Sequence, residues 1–208
     1  MSRLCAFLFL LLVTAIPVGT AAAAANDGER AETFIERLSS QALEIVTNRE
    51  KSRDIRREKF AELLNRGFDM AWIGQFVLGR NWNLATPEQR KEYLSLFEDI
   101  IVHTYSKRFD DYNGQKIRII GHQMGKRQYV FVKSQIFDPE RPNATINVIW
   151  RLIPRQESYK IIDVVIEGVS MGVTQRNEYN SVIQRAGGKI DALIDAMRQN
   201  LDKLRSSI

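Results

Sequence analysis

The hydrophobic pattern of this chain changes period near its middle. Before residue 115 apolar positions recur every three or four residues, as on a helix with one buried face. Between 116 and 167 they alternate, as on a strand. Glu29 to about Asn48 predicts a helix with Phe34, Ile35, Leu38, Ala42, Ile45 and Val46 on one side. The charged run Arg49–Lys59 leads into a second apolar stripe, Ile55, Phe60, Leu63 and Leu64, which Gly67 ends. Phe68–Leu78 has one charge, Asp69, among Phe68, Met70, Trp72, Ile73, Phe76, Val77 and Leu78, so it is either core or the wall of an apolar cavity. After a turn at Gly79–Leu84, Thr86-Pro87-Glu88-Gln89 has the form of a capped helix start. That helix is expected to run to Asp110 or Asp111, with Tyr93, Leu94, Phe97, Ile100, Ile101, Thr104 and Tyr105 inward.

Four strands are expected at Lys116–His122, Tyr129–Phe137, Thr145–Ile153 and Tyr159–Glu167. They are separated by turns at Gly121–Lys126, Asp138–Asn143 and Gln156–Ser158, and Pro154 breaks the third strand. Short connections make these an antiparallel meander. Val130, Val132, Ile136, Ile146, Val148, Trp150, Leu152, Ile162, Val164 and Ile166 fall on one face; Lys133, Gln135, Asn147, Arg151 and Asp163 fall on the other. Gly168 turns the chain, and Ser170 caps a helix over Met171–Arg185. Gly187-Gly188 separates it from a last amphipathic helix, Lys189–Leu204. The fold class is therefore α+β: a four-stranded or slightly larger antiparallel sheet with helices before and after it.

Residues 1–25 read as an export signal. Arg3 is followed by an apolar run from Leu4 to Ile16, and Ala21–Ala25 offers cleavage sites, with cutting expected near Ala23–Ala25. An uncleaved anchor is the competing reading, and the shortness of the run weighs against it. Residues 26–208 then form one domain: helices over 29–110, sheet over 116–167 and closing helices over 170–204. The only cysteine is Cys5, so the core must hold the exported fold without disulfides. The net charge of +5 is modest and spread among many acids. It suits an anionic surface or an acidic partner, and export makes nucleic acid an unsuitable one.

Reactive groups are few. His103 and His122 lack metal-ligand spacing, and no nucleophile elbow, dinucleotide fingerprint or phosphate loop is present. Asp163 and Glu167 are the carboxylates to weigh. They could serve as a catalytic pair, or Asp163 could pair with Arg151 on the next strand while Glu167 caps a turn. The missing apparatus around them favours the structural roles, and the chemistry points to binding without a cofactor or metal.

Two blocks carry more information. Gly79–Gly114, GRNWNLATPEQRKEYLSLFEDIIVHTYSKRFDDYNG, and Asp163–Tyr179, DVVIEGVSMGVTQRNEY, together resemble the MlaC-type (toluene-tolerance) periplasmic phospholipid-binding family. The resemblance implies a twisted antiparallel sheet and helices enclosing an apolar pocket for acyl chains, with the headgroup near solvent. It implies a non-enzymatic carrier whose cargo is a phospholipid or other membrane lipid. The implied partners are an inner-membrane ABC transporter with an MCE-domain subunit and an outer-membrane lipoprotein–porin complex, and the implied role is maintenance of outer-membrane lipid asymmetry. The closing segment is equally similar to relatives associated with hopanoids, so a hopanoid-type cargo stays open. So does a non-carrier adaptor that docks through Arg49–Lys59. Candidate lipid-binding residues, chosen by helix and strand face, are Phe76, Leu78, Phe97, Ile101, Tyr105, Val132, Val148, Trp150, Val164, Ile166, Val169 and Met171.

Overall fold

A computed structural model describes residues 19–156 and 158–206; the apolar run Leu4–Ile16 of the expected export signal lies outside the described residues. The chain forms α1 (Gly19–Thr47), α2 (Arg53–Gly67), α3 (Met70–Leu78), α4 (Pro87–Ser106), strands β1 (Lys116–Met124), β2 (Val130–Asp138), β3 (Arg141–Arg155), β4 (Ser158–Ile166) and β5 (Val169–Ser170), then α5 (Met171–Arg185) and α6 (Ile190–Ser206). The strands pair in chain order, all antiparallel, in one open sheet. The α+β class is as expected, with a fifth, two-residue strand at the edge.

The helix starts follow local chemistry. Thr86 accepts from the Gln89 amide while the Gln89 side chain accepts from the Thr86 amide, and Pro87 takes the first turn. Ser52, Asp69 and Ser170 cap α2, α3 and α5 through their side-chain oxygens. α4 ends at Ser106, short of the expected Asp110; Phe109–Asp111 forms a separate 3-10 turn.

Three sheet expectations are corrected. β1 does not turn at Gly121: a bulge there, with Gly121 at φ 132°, lets the strand run on to Met124. β3 runs through both prolines. Pro142 lies where pairing jumps from Phe137↔Thr145 to Asp138↔Arg141, and Pro154 lies beyond the last β2 partner, Leu152, so neither removes a ladder bond from both sides. A second bulge pairs Arg151 with Asp163 but Leu152 with Ile161. It puts Ile161, not Ile162, into the cluster on the inner face.

Among the described residues the buried apolar side chains form two clusters. One joins α3, α4, α5 and α6 around Tyr93, Phe97, Tyr179, Ile183 and Leu193. Burial pushes the Tyr93 hydroxyl well above its ordinary range, and the group is satisfied by donating to the Gly74 carbonyl at 3.0 Å. The other seats the first half of α1, through Ala31 and Ile35, on Val130, Val132, Leu152 and Ile161. Gly28 lets α1 approach closely there, since a Cβ would lie 2.0 Å from His122 Nε2. Glu32 and His122 meet at 2.7 Å, and Tyr159 donates to the Asp27 carbonyl at 2.7 Å. Phe68 packs against both clusters. Among the described residues no helix is long and apolar enough to cross a membrane.

Candidate functional site

Between the two clusters Phe68 bridges one side, but elsewhere the side chains stay apart. They leave a cavity of about 580 Å³, far larger than the voids of a packed core and within the range of ligand pockets. Its floor is the inner sheet face: Ile117, Ile136, Val148, Trp150, Val164 and Ile166. α4 forms one wall with Phe97, Ile100, Ile101, Thr104 and Tyr105, and α3 closes the deep end with Met70, Ile73 and Val77. α1 and α2 contribute Leu38, Ala42, Val46, Phe60, Leu63 and Leu64; Met171 and Gln175 come from the start of α5. The floor holds its shape because the Trp150 indole N–H donates to Ser134 Oγ at 2.9 Å, fixing the ring.

The border is more polar. Thr104, Tyr112, Gln115, Lys116 and Gln175 reach it, and Tyr105 is half exposed. Lys116 is exposed at the start of β1.

The chain after β4 is held against this border by Asp163. Its side chain is 4% exposed and lies 3.3 Å from Arg151 Nη1. It accepts from Ser170 Oγ at 2.7 Å and from the Gly172 amide at 3.1 Å. Glu167 (φ 48°) and Gly168 (φ 80°) form the two-residue turn between β4 and β5. Glu167 donates its amide to the Asn147 carbonyl at 3.0 Å and accepts the Asn147 amide on its carboxylate, which offsets the strain of a non-glycine residue there. Both carboxylates are thus engaged in holding backbone, the structural roles set against the catalytic pair. Among the described residues no group of three His, Cys, Asp or Glu side chains could hold a metal ion.

Eight sequence-chosen residues line the cavity: Phe97, Ile101, Tyr105, Val148, Trp150, Val164, Ile166 and Met171. Four do not. Leu78 is packed inside the helical cluster, and Val132 is sealed beneath α1. Phe76 faces away from the cavity side of α3, stacked on Trp72 at 5.5 Å and beneath the Arg176 guanidinium at 5.3 Å. Val169, on the unforeseen β5, is 53% exposed. The α1 and α2 walls were missed although their stripes are plain in the sequence; Leu38, Ala42, Val46, Phe60 and Leu63 all lie on them. Ile136 was legible too, because it alternates with Val132 on the same strand.

The family described as MlaC protein matches residues 36–199. The chain belongs to the MlaC family. A curated relative, the intermembrane phospholipid transport system binding protein MlaC of Haemophilus influenzae, is 25% identical over 137 residues; the match spans 64% of this chain and 62% of that protein's length. Among solved structures, the phospholipid-binding protein of Ralstonia solanacearum, in complex with a phospholipid, superposes with a TM-score of 0.71 at 19% identity. It covers 84% of this chain and 98% of that one. The MlaC family assignment thus rests on sequence, and the structural likeness establishes a shared fold.

Proposed function

We propose that this MlaC-family chain is an exported carrier that holds lipid acyl chains in the cavity and moves a phospholipid between the outer and inner membranes, so maintaining outer-membrane lipid asymmetry. The observation that carries the reading is the cavity itself, large and walled almost entirely by hydrocarbon. A methylene exposed to water costs about 0.8 kcal/mol, so two chains of about fifteen methylenes cost on the order of 24 kcal/mol gross. A soluble carrier must hide that surface, and an apolar cavity does so without reaction chemistry. The phospholipid bound in the Ralstonia solanacearum protein of like fold, and the phospholipid transport system to which the Haemophilus influenzae relative belongs, support the choice of cargo.

In this reading the chains lie between Trp150, Val148 and Ile101, and the headgroup sits at the border near Tyr112, Gln115 and Lys116. The chain works in the periplasm after cleavage near Ala23–Ala25. It receives and delivers lipid at an outer-membrane lipoprotein–porin complex and an inner-membrane ABC transporter with an MCE-domain subunit. The gross cost of exposed chains is why unloading needs an acceptor that takes the tails as they leave.

The test is a charge in the cavity floor. Val148→Asp, purified beside the unaltered chain and shown folded by circular dichroism, is expected to lose most of its co-purifying lipid. Full retention of lipid in the folded variant would contradict the assignment of the cavity.

A further inference from the structure

The two halves of α1 are held very differently. The first half is anchored by the fully buried Ala31 and Ile35, the Glu32–His122 contact and the Tyr159 bond to Asp27. Leu38 still packs closely on Gly67, where a Cβ would lie 2.7 Å from Leu38 Cδ1. Beyond Leu38 no residue of α1 is buried. Ser39, Ala42, Leu43 and Val46 line the cavity, so this part of α1 has little protein packed beneath it.

Near its far end, among the described residues, a side chain from α2 hydrogen-bonds its backbone. Arg56 of α2 donates from Nη1 to the Val46 carbonyl at 3.1 Å and from Nη2 to Asp110 Oδ1 at 3.1 Å. Its guanidinium lies over the Phe109 ring at 5.8 Å, and Phe109 meets Phe60, a cavity residue, edge to face at 5.3 Å. Arg53 also binds Asp110, through Nε at 2.8 Å, but it is exposed. The Arg56 side chain is 7% exposed, and its Nε has no partner among the described residues.

A buried, incompletely paired guanidinium stabilises a fold poorly compared with an apolar side chain of similar size. It makes a good latch, however, because opening returns the charge to water and offsets part of the lost contacts. We propose that Ser39–Thr47 is a strap that closes the cavity, and that Arg56, bonded to Val46 and Asp110, is the positioning residue that holds it shut. This rests on the carrier reading above. Cargo in the cavity gives the strap's apolar face something to pack against, so a loaded chain is closed and an empty one opens more readily.

The test uses the full chain purified with its bound lipid. Two variants open the latch: Arg56→Met, which keeps an apolar stem over Phe109, and Asp110→Asn, which removes the charge that holds Arg56. Arg53→Gln removes the other ion pair of the same carboxylate without touching α1. On mixing with excess phosphatidylcholine vesicles, the protein–lipid mass seen by native mass spectrometry is expected to decay at least tenfold faster in both latch variants, and at the unaltered rate in Arg53→Gln. Amide hydrogen exchange at 39–47 is expected to quicken at least tenfold in the same two variants, with 28–35 unchanged. A merely structural role would quicken both halves of α1 or neither. Unchanged release and unchanged exchange at 39–47 in folded Arg56→Met and Asp110→Asn would overturn the proposal. Absence of lipid from the unaltered chain would instead overturn the carrier reading, and the exchange comparison would then decide the strap alone.

Discussion

The amide of Gly172 donates to Asp163 Oδ1 at 3.1 Å, joining the first turn of α5 to the strand that carries the cavity floor. Ser170 Oγ donates to the other oxygen at 2.7 Å and also caps α5 by accepting from the Val173 amide at 3.1 Å. One buried carboxylate therefore sets where α5 begins. Asp163→Ala leaves the Arg151 charge and the Gly172 amide uncompensated, and is expected to cost about 3 kcal/mol, read as a lowered midpoint in urea unfolding.

Gly172 belongs to the same contact. A Cβ there would lie 3.2 Å from Asp163 Oδ1 and 3.3 Å from Phe76 Cε1, and the carboxylate is held from three sides. Alanine gains about 1 kcal/mol in helix propensity, but the crowding outweighs that gain. Gly172→Ala is expected to lower stability, and a raised unfolding midpoint would show that Asp163 can yield.

Gly168 is a different case, with nothing within 4 Å of a Cβ but φ at 80°. Its cost is backbone conformation alone. Gly168→Ala is expected to lose about 1 kcal/mol with the amount of co-purifying lipid unchanged, measured by the same unfolding and by extraction.

His103 supplies the pH dependence. Burial, then the Arg57 and Arg205 charges, hold its imidazole below the ordinary value, against a smaller pull from Asp99. Its Nδ1 is buried without a partner among the described residues. The unfolded chain thus takes up the proton first as pH falls below about 6.5. Stability contributed by the neutral ring is complete above that value, falls below it, and levels off once the lower folded value is passed. His103→Gln is expected to flatten the acid side of the stability curve and leave it unaltered at pH 8. An unchanged acid slope would contradict the assignment.

At the border, Lys116 is an exposed cation on the cavity rim. An exposed charge contributes little, so Lys116→Glu is expected to weaken retention of anionic lipid by about 1 kcal/mol or less, more at low salt than at high. Competition between anionic and zwitterionic vesicles measures it. Equal loss of both lipid classes would place the headgroup elsewhere.

Much of this architecture was legible because local chemistry and packing agree. The Thr86–Gln89 capping box starts α4 as its residues require, and the strands pair in the order that their short turns demand. The bulge between Ile161 and Asp163 was not legible, since a β-branched run fits either face equally well and only pairing with β3 chooses. Pro142 and Pro154 read as strand ends because the extent of the neighbouring β2 cannot be seen from β3 alone. Cavity and core were confused for the same kind of reason. Val132 and Val148 occupy the same sheet face, yet Val132 lies under the seated half of α1 whereas Val148 faces the cavity. Which half of a helix covers a residue is a tertiary fact that hydrophobic spacing does not encode.

The most direct measurement is native mass spectrometry of the purified chain, followed by organic extraction and lipid analysis. A lipid carrier is expected to show a stoichiometric adduct of phospholipid mass that extraction removes. A polycyclic adduct would keep the carrier and change its cargo. A bare protein mass, unaltered after incubation with membrane vesicles, would contradict the claim that this cavity holds lipid.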